Sequence, residues 1–287
     1  MNLKSIKKVI PSSKINMGGH IIEQPLPNKH MDMLDPFLLV HHAEFVYYGQ
    51  QKSKDVGIGG HPHRGFSPVT FIFEGDVRHQ DSFGNDAIVE AGGTQWMHAG
   101  KGIVHSERPS EKLAQKGGLQ EFIQFWVNTP AAHKMDQPYY LPITKEETPT
   151  ISGENYNIQV VAGEYQGVKG PANTFSPMIL MRGEIKETGK LELNTPTKYN
   201  TLMYLLDGHL EVNGKKVEKK DFVWFDTDGD AVEISAKADT RFIFLSGKPL
   251  NEEVTSYGPF VMNNQTQILE ALRDAQMGKM GVLIEEF

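Results

Sequence analysis

The chain of 287 residues carries 11 histidines, and most of them crowd into the stretch from His41 to His105. The densest group is Gly59-Gly60-His61-Pro62-His63-Arg64-Gly65. Side chains two apart on a strand leave from the same face, so His61 and His63 can reach a common point. Further on, Gly102-Ile103-Val104-His105-Ser106-Glu107 repeats the spacing with an imidazole and a carboxylate. Two such pairs on adjacent inward-facing strands would bring three ring nitrogens and one carboxylate together. That donor set suits iron, manganese, nickel, copper or zinc. A lone His-x-His is more often an ordinary pair of surface or core histidines, and Pro62 favours an edge strand or a strand start. The second pair, beside its glycine-rich approach, turns the reading toward a metal site.

Composition narrows the chemistry further. With no cysteine, disulfides, thiolate-bound zinc, iron–sulfur clusters and thiol catalysis are all excluded. The 29 basic residues against 36 acidic ones give a net charge of −7, which argues against a protein that grips nucleic acid or an anionic membrane. Apolar runs such as Phe37-Leu38-Leu39-Val40 fall far short of the ~20 residues of a membrane span. The first residues show no apolar segment of the ~7–15 residues a secretory signal needs, so a cytoplasmic location is expected. The Asn264-Gln265-Thr266 sequon is then coincidental.

The elements that must position these residues are mostly strands. Short β-branched and aromatic runs recur between Gly, Asn, Asp and Pro: Val69 to Phe73, Glu121 to Val127, Leu202 to Leu206, Asp221 to Phe225 and Thr240 to Leu245. Asn213-Gly214 marks a tight hairpin, and Phe83-Gly84-Asn85 another turn. Helical periodicity is strong only from Gln265 to Met277, with Ile268, Leu269, Leu272 and Ala275 on one face, Asn264 as N-cap and Gly278 as stop. An internal repeat sets the architecture. The segment from Val69 to Asp76 resembles Leu202 to His209, and Val89-Glu90 with Trp96 matches Val217-Glu218 with Trp224. This reads as a duplicated small β-barrel with a seam between Pro130 and Pro177. Projected onto the second copy, the four donors fall on Asn194, Pro196, Glu233 and Ser235, of which only Glu233 could bind a metal readily.

Other candidates carry less. His98 reads as a pocket residue or a structural histidine, and His79 with Asp81 as residues of the pocket mouth. Alternation points Arg64 away from the site, toward an ion pair at the rim. Trp96 and Met97 read as barrel core. His41 and His42 are adjacent, so on a strand they face opposite sides. The run Asp226-Thr227-Asp228-Gly229-Asp230 starts like a calcium loop but lacks the required Gly and Glu, having Ala231 and Lys237 there. Lys215-Lys216 and Lys219-Lys220 read as a solvated hairpin face.

Taken together, His61-Pro62-His63-Arg64-Gly65, Thr70-Phe71-Ile72-Phe73-Glu74-Gly75 and Gly102-Ile103-Val104-His105-Ser106-Glu107 resemble the pirin family of the cupin superfamily. Asp35-Pro36-Phe37, Gln124-Phe125-Trp126-Val127-Asn128 and Gly258-Pro259-Phe260-Val261-Met262-Asn263 extend the resemblance over nearly the whole chain. It implies an all-β bicupin: two tandem cupin barrels with a short C-terminal helix. On this reading residues 1–140 form a metal-binding cupin domain and residues 141–287 a cupin domain without metal ligands. The implied ligands are His61, His63, His105 and Glu107. The metal is usually Fe(II), with Mn, Ni, Cu, Co or Zn compatible. Two activities are implied: ring-opening dioxygenation of a quercetin-type flavonol with O₂, or redox-dependent contact with a regulatory protein without direct nucleic-acid or membrane binding. In the first, Glu107 is the expected base. An isomerase or small-molecule binder using the same cavity is a third class.

Overall fold

The computed structural model describes residues 2–287, nearly all of them in or between strands. The chain forms two compact units. One comprises Met17–Ile22, Val40–Lys145 and Asn251–Phe287; the other comprises Met1–Asn16, Glu23–Leu39 and Glu146–Leu250. The central boundary therefore lies at Lys145, a few residues past the expected 140, while the first and last segments of the chain each belong to the unit built by the opposite half.

The histidine-rich unit contains a four-stranded sheet in the order Ile58–His63, Ile103–Arg108, Asp76–Asp81, Asp86–Glu90. A seven-stranded sheet includes Tyr139–Ile143, Thr94–His98, Phe66–Glu74, Gly118–Asn128 and Phe37–Tyr47. Phe66, Val69, Phe71, Ile123 and Phe125 are wholly buried, and Val69 with Phe71 and Ile123 with Phe125 keep the period of two that puts them on one face. The C-terminal helix spans Gln265–Gln276, and Asn264 Oδ1 accepts from the Gln267 amide as its cap. Ile268 and Ala271 face inward against Phe260, Met262 and Met280, but Leu269 is exposed, so the buried stripe is rotated from the one periodicity suggests. A second helix, Glu111–Lys116, was not anticipated. At six residues it is too short for an apolar period to show, and only its Ser110 cap and Gly117 mark it in the sequence.

The other unit has the same plan, a seven-stranded and a four-stranded sheet. The strand Ile6–Pro11 pairs with Asp221–Phe225 at one edge. Met181, Met203, Leu205, Val232, Ile234, Phe242 and Phe244 share one apolar core. Asn213 and Gly214 both have positive φ, as the tight hairpin between Leu210–Val212 and Lys215–Val217 requires. Glu233 is exposed, opposite Glu192 on the neighbouring strand.

Immediately after His63 the chain turns sharply at Arg64-Gly65, and this turn is tied down on several sides. Gly65 has positive φ, and a Cβ there would collide with the Val261 carbonyl. Lys134, 1% exposed, donates from Nζ to Gly65 O at 2.6 Å, Asn128 Oδ1 at 2.7 Å and Val261 O at 3.1 Å. Burial pulls its pKa down to about 7, yet three acceptors match the three N–H bonds of an ammonium group. Arg64 is also buried: Nε donates to Lys101 O at 2.6 Å, and both terminal nitrogens reach Asp274 Oδ2 at 3.1 Å. It forms an ion pair as expected, but inside the unit rather than at a rim. Replacing Lys134 with Met should destabilise the chain by about 1–3 kcal/mol, because buried oxygens lose their donor. A chemical-denaturation midpoint equal to wild type would show that the lysine contributes nothing net.

Candidate metal centre

Antiparallel pairing sets His105 opposite His61 and Ile103 opposite His63, and the register breaks between His105 and Glu107. The donor atoms of His61, His63 and His105 lie within 4.8 Å of one another. Ring centroids are 4.4 Å apart for His61 and His105, 4.8 Å for His61 and His63, and 5.1 Å for His63 and His105. His63 and His105 are buried and His61 is half-buried, so solvent reaches the group at His61. Trp126 stands beside His63 with centroids 5.4 Å apart and packs on Phe66.

Each ring is oriented by what its other nitrogen meets. His61 Nδ1 lies 2.9 Å from Gly59 O, and His63 Nδ1 lies 3.3 Å from Pro259 O. A carbonyl only accepts, so both Nδ1 atoms carry a proton and direct Nε2 as the nitrogen left for a metal. His105 Nδ1 faces His79 Nδ1 at 3.3 Å, while its buried Nε2 has no hydrogen-bond partner. Burial, then the neighbouring imidazoles, holds the pKa of His63 and of His105 well below the ordinary histidine value, so both rings are neutral. Three clustered imidazoles, two of them neutral and one with an orphaned buried nitrogen, fit a divalent transition metal.

Glu107 is placed differently. Its two oxygens accept from Gln124 Nε2 at 3.0 and 2.9 Å, with Thr70 Oγ1 at 3.5 Å. Trp126 Nε1 in turn donates to Gln124 Oε1 at 3.2 Å. The carboxylate is not a member of the compact imidazole set.

The remaining candidates fall around this group. His79 and Asp81 are not at a mouth; both are buried, with His79 Nε2 2.9 Å from Asp81 Oδ2. Tyr140 stacks on His79 with centroids 3.7 Å apart and planes 1° from parallel. Trp96 and Met97 are core residues. His98 lies outside the set, with Nδ1 3.3 Å from Ser67 Oγ. His41 and His42 do not act together, but His42, Glu44 and Glu121 bring donor atoms within 4.8 Å, where His42 Nε2 and Glu121 Oε1 already pair at 3.0 Å. Sequence reading missed this group because Glu121 is remote in the chain. It also missed Gln124, although the position two before Trp126 on the same strand face was available as a signal.

The model of the Pirin family matches residues 19–127, and that of the Pirin C-terminal cupin domain matches residues 180–281. Pirin-like protein 2 of Arabidopsis thaliana is 32% identical over 285 residues, covering 96% of this chain and 85% of that one. The chain belongs to the pirin family. Among other pirin relatives, a Pseudomonas aeruginosa protein provisionally named a quercetin 2,3-dioxygenase is 35% identical over 251 residues, covering 86% of each chain. The crystal structure of a quercetin 2,3-dioxygenase from Acinetobacter baumannii matches with a TM-score of 0.92 at 35% identity, covering 98% of this pirin and all of that chain. The two-cupin, mostly β fold implied by the sequence is thus the fold of this pirin. Among its described residues no helix is long and apolar enough to cross a membrane.

Acid should loosen this unit before its carboxylates titrate. Burial lowers the pKa of His98 from 6.5 to about 4, so between those values the unfolded chain binds a proton that the folded chain refuses. The contribution of His98 is therefore complete above pH 6.5 and is lost as pH falls toward 4. Each such histidine adds up to ~1.4 kcal/mol per pH unit of slope. Urea midpoints measured at successive pH values should fall less steeply in His98→Gln than in wild type. Identical slopes would remove His98 from this account.

Proposed function

We propose that this pirin is a metal-dependent dioxygenase that opens the central ring of quercetin-type flavonols with O₂, releasing carbon monoxide. The observation that carries this reading is the convergence of three imidazoles, one with an orphaned Nε2, with a carboxylate held by a neutral amide two residues beyond His105 on the same strand. The similarity to relatives named quercetin 2,3-dioxygenases supports it. His61, His63 and His105 hold the metal through Nε2, and Glu107 is the acidic fourth ligand. The metal, Fe(II) in this proposal, supplies Lewis acidity and a route for electrons to O₂ when bound.

The remaining work belongs to the chain. Glu107 accepts the proton of the flavonol 3-hydroxyl at a carboxylate oxygen, which leaves the substrate as an electron-rich enolate. Gln124 offers that carboxylate hydrogen bonds but no positive charge, so the group is oriented without losing its basicity to an ion pair. The indole of Trp126 fixes the Gln124 amide so that its NH₂ faces Glu107. Trp126, half-buried beside His63, provides an aromatic wall for a planar substrate. Tyr140 has a buried hydroxyl without a partner, and burial together with the charge of Glu107 keeps it protonated. It can therefore donate to an oxygen-rich ligand.

Anaerobic loading with Fe(II), followed by oxygen uptake and carbon monoxide release with quercetin, tests the reaction. Glu107→Gln should lower kcat by ~10²–10⁴-fold, the usual yield of a positioned general base. Uptake no greater than that of a His105→Ala control would overturn the dioxygenase reading. The ligand set is tested apart from turnover by elemental analysis of His61→Ala/His63→Ala protein, which should lose its metal; full retention would refute it.

A further inference from the structure

Behind His105, on the side away from its orphaned nitrogen, two more residues continue in line. The strand Asp76–Asp81 pairs with Ile103–Arg108 so that His79 stands opposite Glu107 and Asp81 opposite His105. His105 Nδ1 meets His79 Nδ1 at 3.3 Å, and His79 Nε2 meets Asp81 Oδ2 at 2.9 Å. His79, Asp81 and His105 are each at most 4% exposed. The ring of His79 is pinned flat against Tyr140, so it cannot turn to exchange its two nitrogens without breaking the stack. Asp81 is equally fixed. Its Oδ1 accepts from the Phe83 amide at 2.9 Å and the Asn85 amide at 3.1 Å, and its Oδ2 accepts from Asn85 Nδ2 at 2.8 Å.

Facing nitrogens cannot both accept. A carboxylate oxygen offers only lone pairs, so Asp81 requires a proton on His79 Nε2. With a single proton on the ring, His79 Nδ1 is then bare and must accept. His105 Nδ1 must therefore donate, and the lone pair of His105 lies on Nε2, the buried nitrogen without a hydrogen-bond partner. We propose that Asp81 and His79 are positioning residues that fix the tautomer of His105, so that the metal centre is ready to bind before any ion arrives. This rests on the reading of His105 as a ligand. It goes beyond that reading by assigning the choice of nitrogen to a carboxylate two imidazole links away. An outer partner of a metal-bound histidine usually contributes ~10–100-fold in metal affinity.

The arrangement makes an isosteric change informative. In Asp81→Asn the oxygen facing the Phe83 and Asn85 backbone amides can remain, while an NH₂ group now confronts His79 and also the Asn85 side chain, whose amide can turn to present its oxygen. His79 Nε2 must then accept, its Nδ1 must donate, and His105 is driven to carry its proton on Nε2. The geometry is preserved and the lone pair is on the wrong nitrogen. In His79→Asn a side-chain oxygen can still accept from His105 Nδ1, whereas His79→Phe offers no acceptor.

The test is long-range ¹H–¹⁵N correlation of the imidazoles in the full ¹⁵N-labelled chain, metal-free and then with one equivalent of Zn(II), together with Zn(II) affinity by chelator competition. Wild type should show His79 protonated on Nε2 and His105 on Nδ1 without metal, and Zn(II) should shift the Nε2 resonances of His61, His63 and His105. Asp81→Asn and His79→Phe should bind Zn(II) ~10–100-fold more weakly, and His79→Asn should stay close to wild type. A metal-free His105 protonated on Nε2, or a His79 protonated on both nitrogens, would overturn the proposal. So would an Asp81→Asn protein with unchanged affinity. Failure of wild type to take up Zn(II) at the three histidines would instead refute the ligand reading, while the metal-free tautomers still decide the relay. Should either variant fail to fold, the wild-type assignment alone decides it.

Discussion

Three imidazoles whose donor atoms lie within 4.8 Å of one another in a mostly buried space are unfavourable by themselves, because their polar nitrogens give up water. The rest of the histidine-bearing unit is organised around holding that arrangement. Pairing of Ile58–His63 with Ile103–Arg108 supplies the approach, because it sets His61 across from His105. Backbone carbonyls at Gly59 and Pro259 then dictate the tautomers of the first two rings, and a side chain occupies the equivalent place behind the third.

The acidic partner is controlled by a different device. Glu107 lies beyond a break in the strand register and is addressed by an amide rather than a cation. Had an arginine or lysine stood at Gln124, the carboxylate would be neutralised and held with its proton affinity depressed. The charged residues near the site are spent elsewhere. Arg64 is turned to Asp274 and Lys101 O, and Lys134 is enclosed by oxygens of Gly65, Asn128 and Val261. Both hold the turn that directly follows His63.

The clustering of the histidines was legible because period-two spacing on strands is a local property, and His61, His63 and His105 announce it within two short motifs. The duplicated barrel was legible for the same reason, each copy repeating a strand, an acidic-glycine turn and a tryptophan strand. What escaped were relations between remote strands. His79 and Asp81 show the same spacing as His61 and His63, yet only the pairing of Asp76–Asp81 with Ile103–Arg108 places them behind His105 instead of at an opening. Gln124 and Tyr140 are ordinary strand residues until their neighbours are known. Leu269 belongs to the apolar period of the last helix but faces solvent, because Phe260, Met262 and Met280 meet the helix along its Ile268 and Ala271 side.

The unit that carries the histidines also takes in Asn251–Phe287, and this ties its completion to the order of synthesis. The carbonyl that orients His63 belongs to Pro259, and the carboxylate that holds Arg64 belongs to Asp274. A chain emerging from the ribosome can form the Ile58–His63 and Ile103–Arg108 strands early, but it cannot finish the surroundings of His63 until Pro259 and Asp274 have been made. The histidine-bearing unit is thus closed by Asn251–Phe287, which follows the Glu146–Leu250 stretch of the other unit. A nascent chain that stops short of Asn251 would carry the histidine motifs without the supports that orient them.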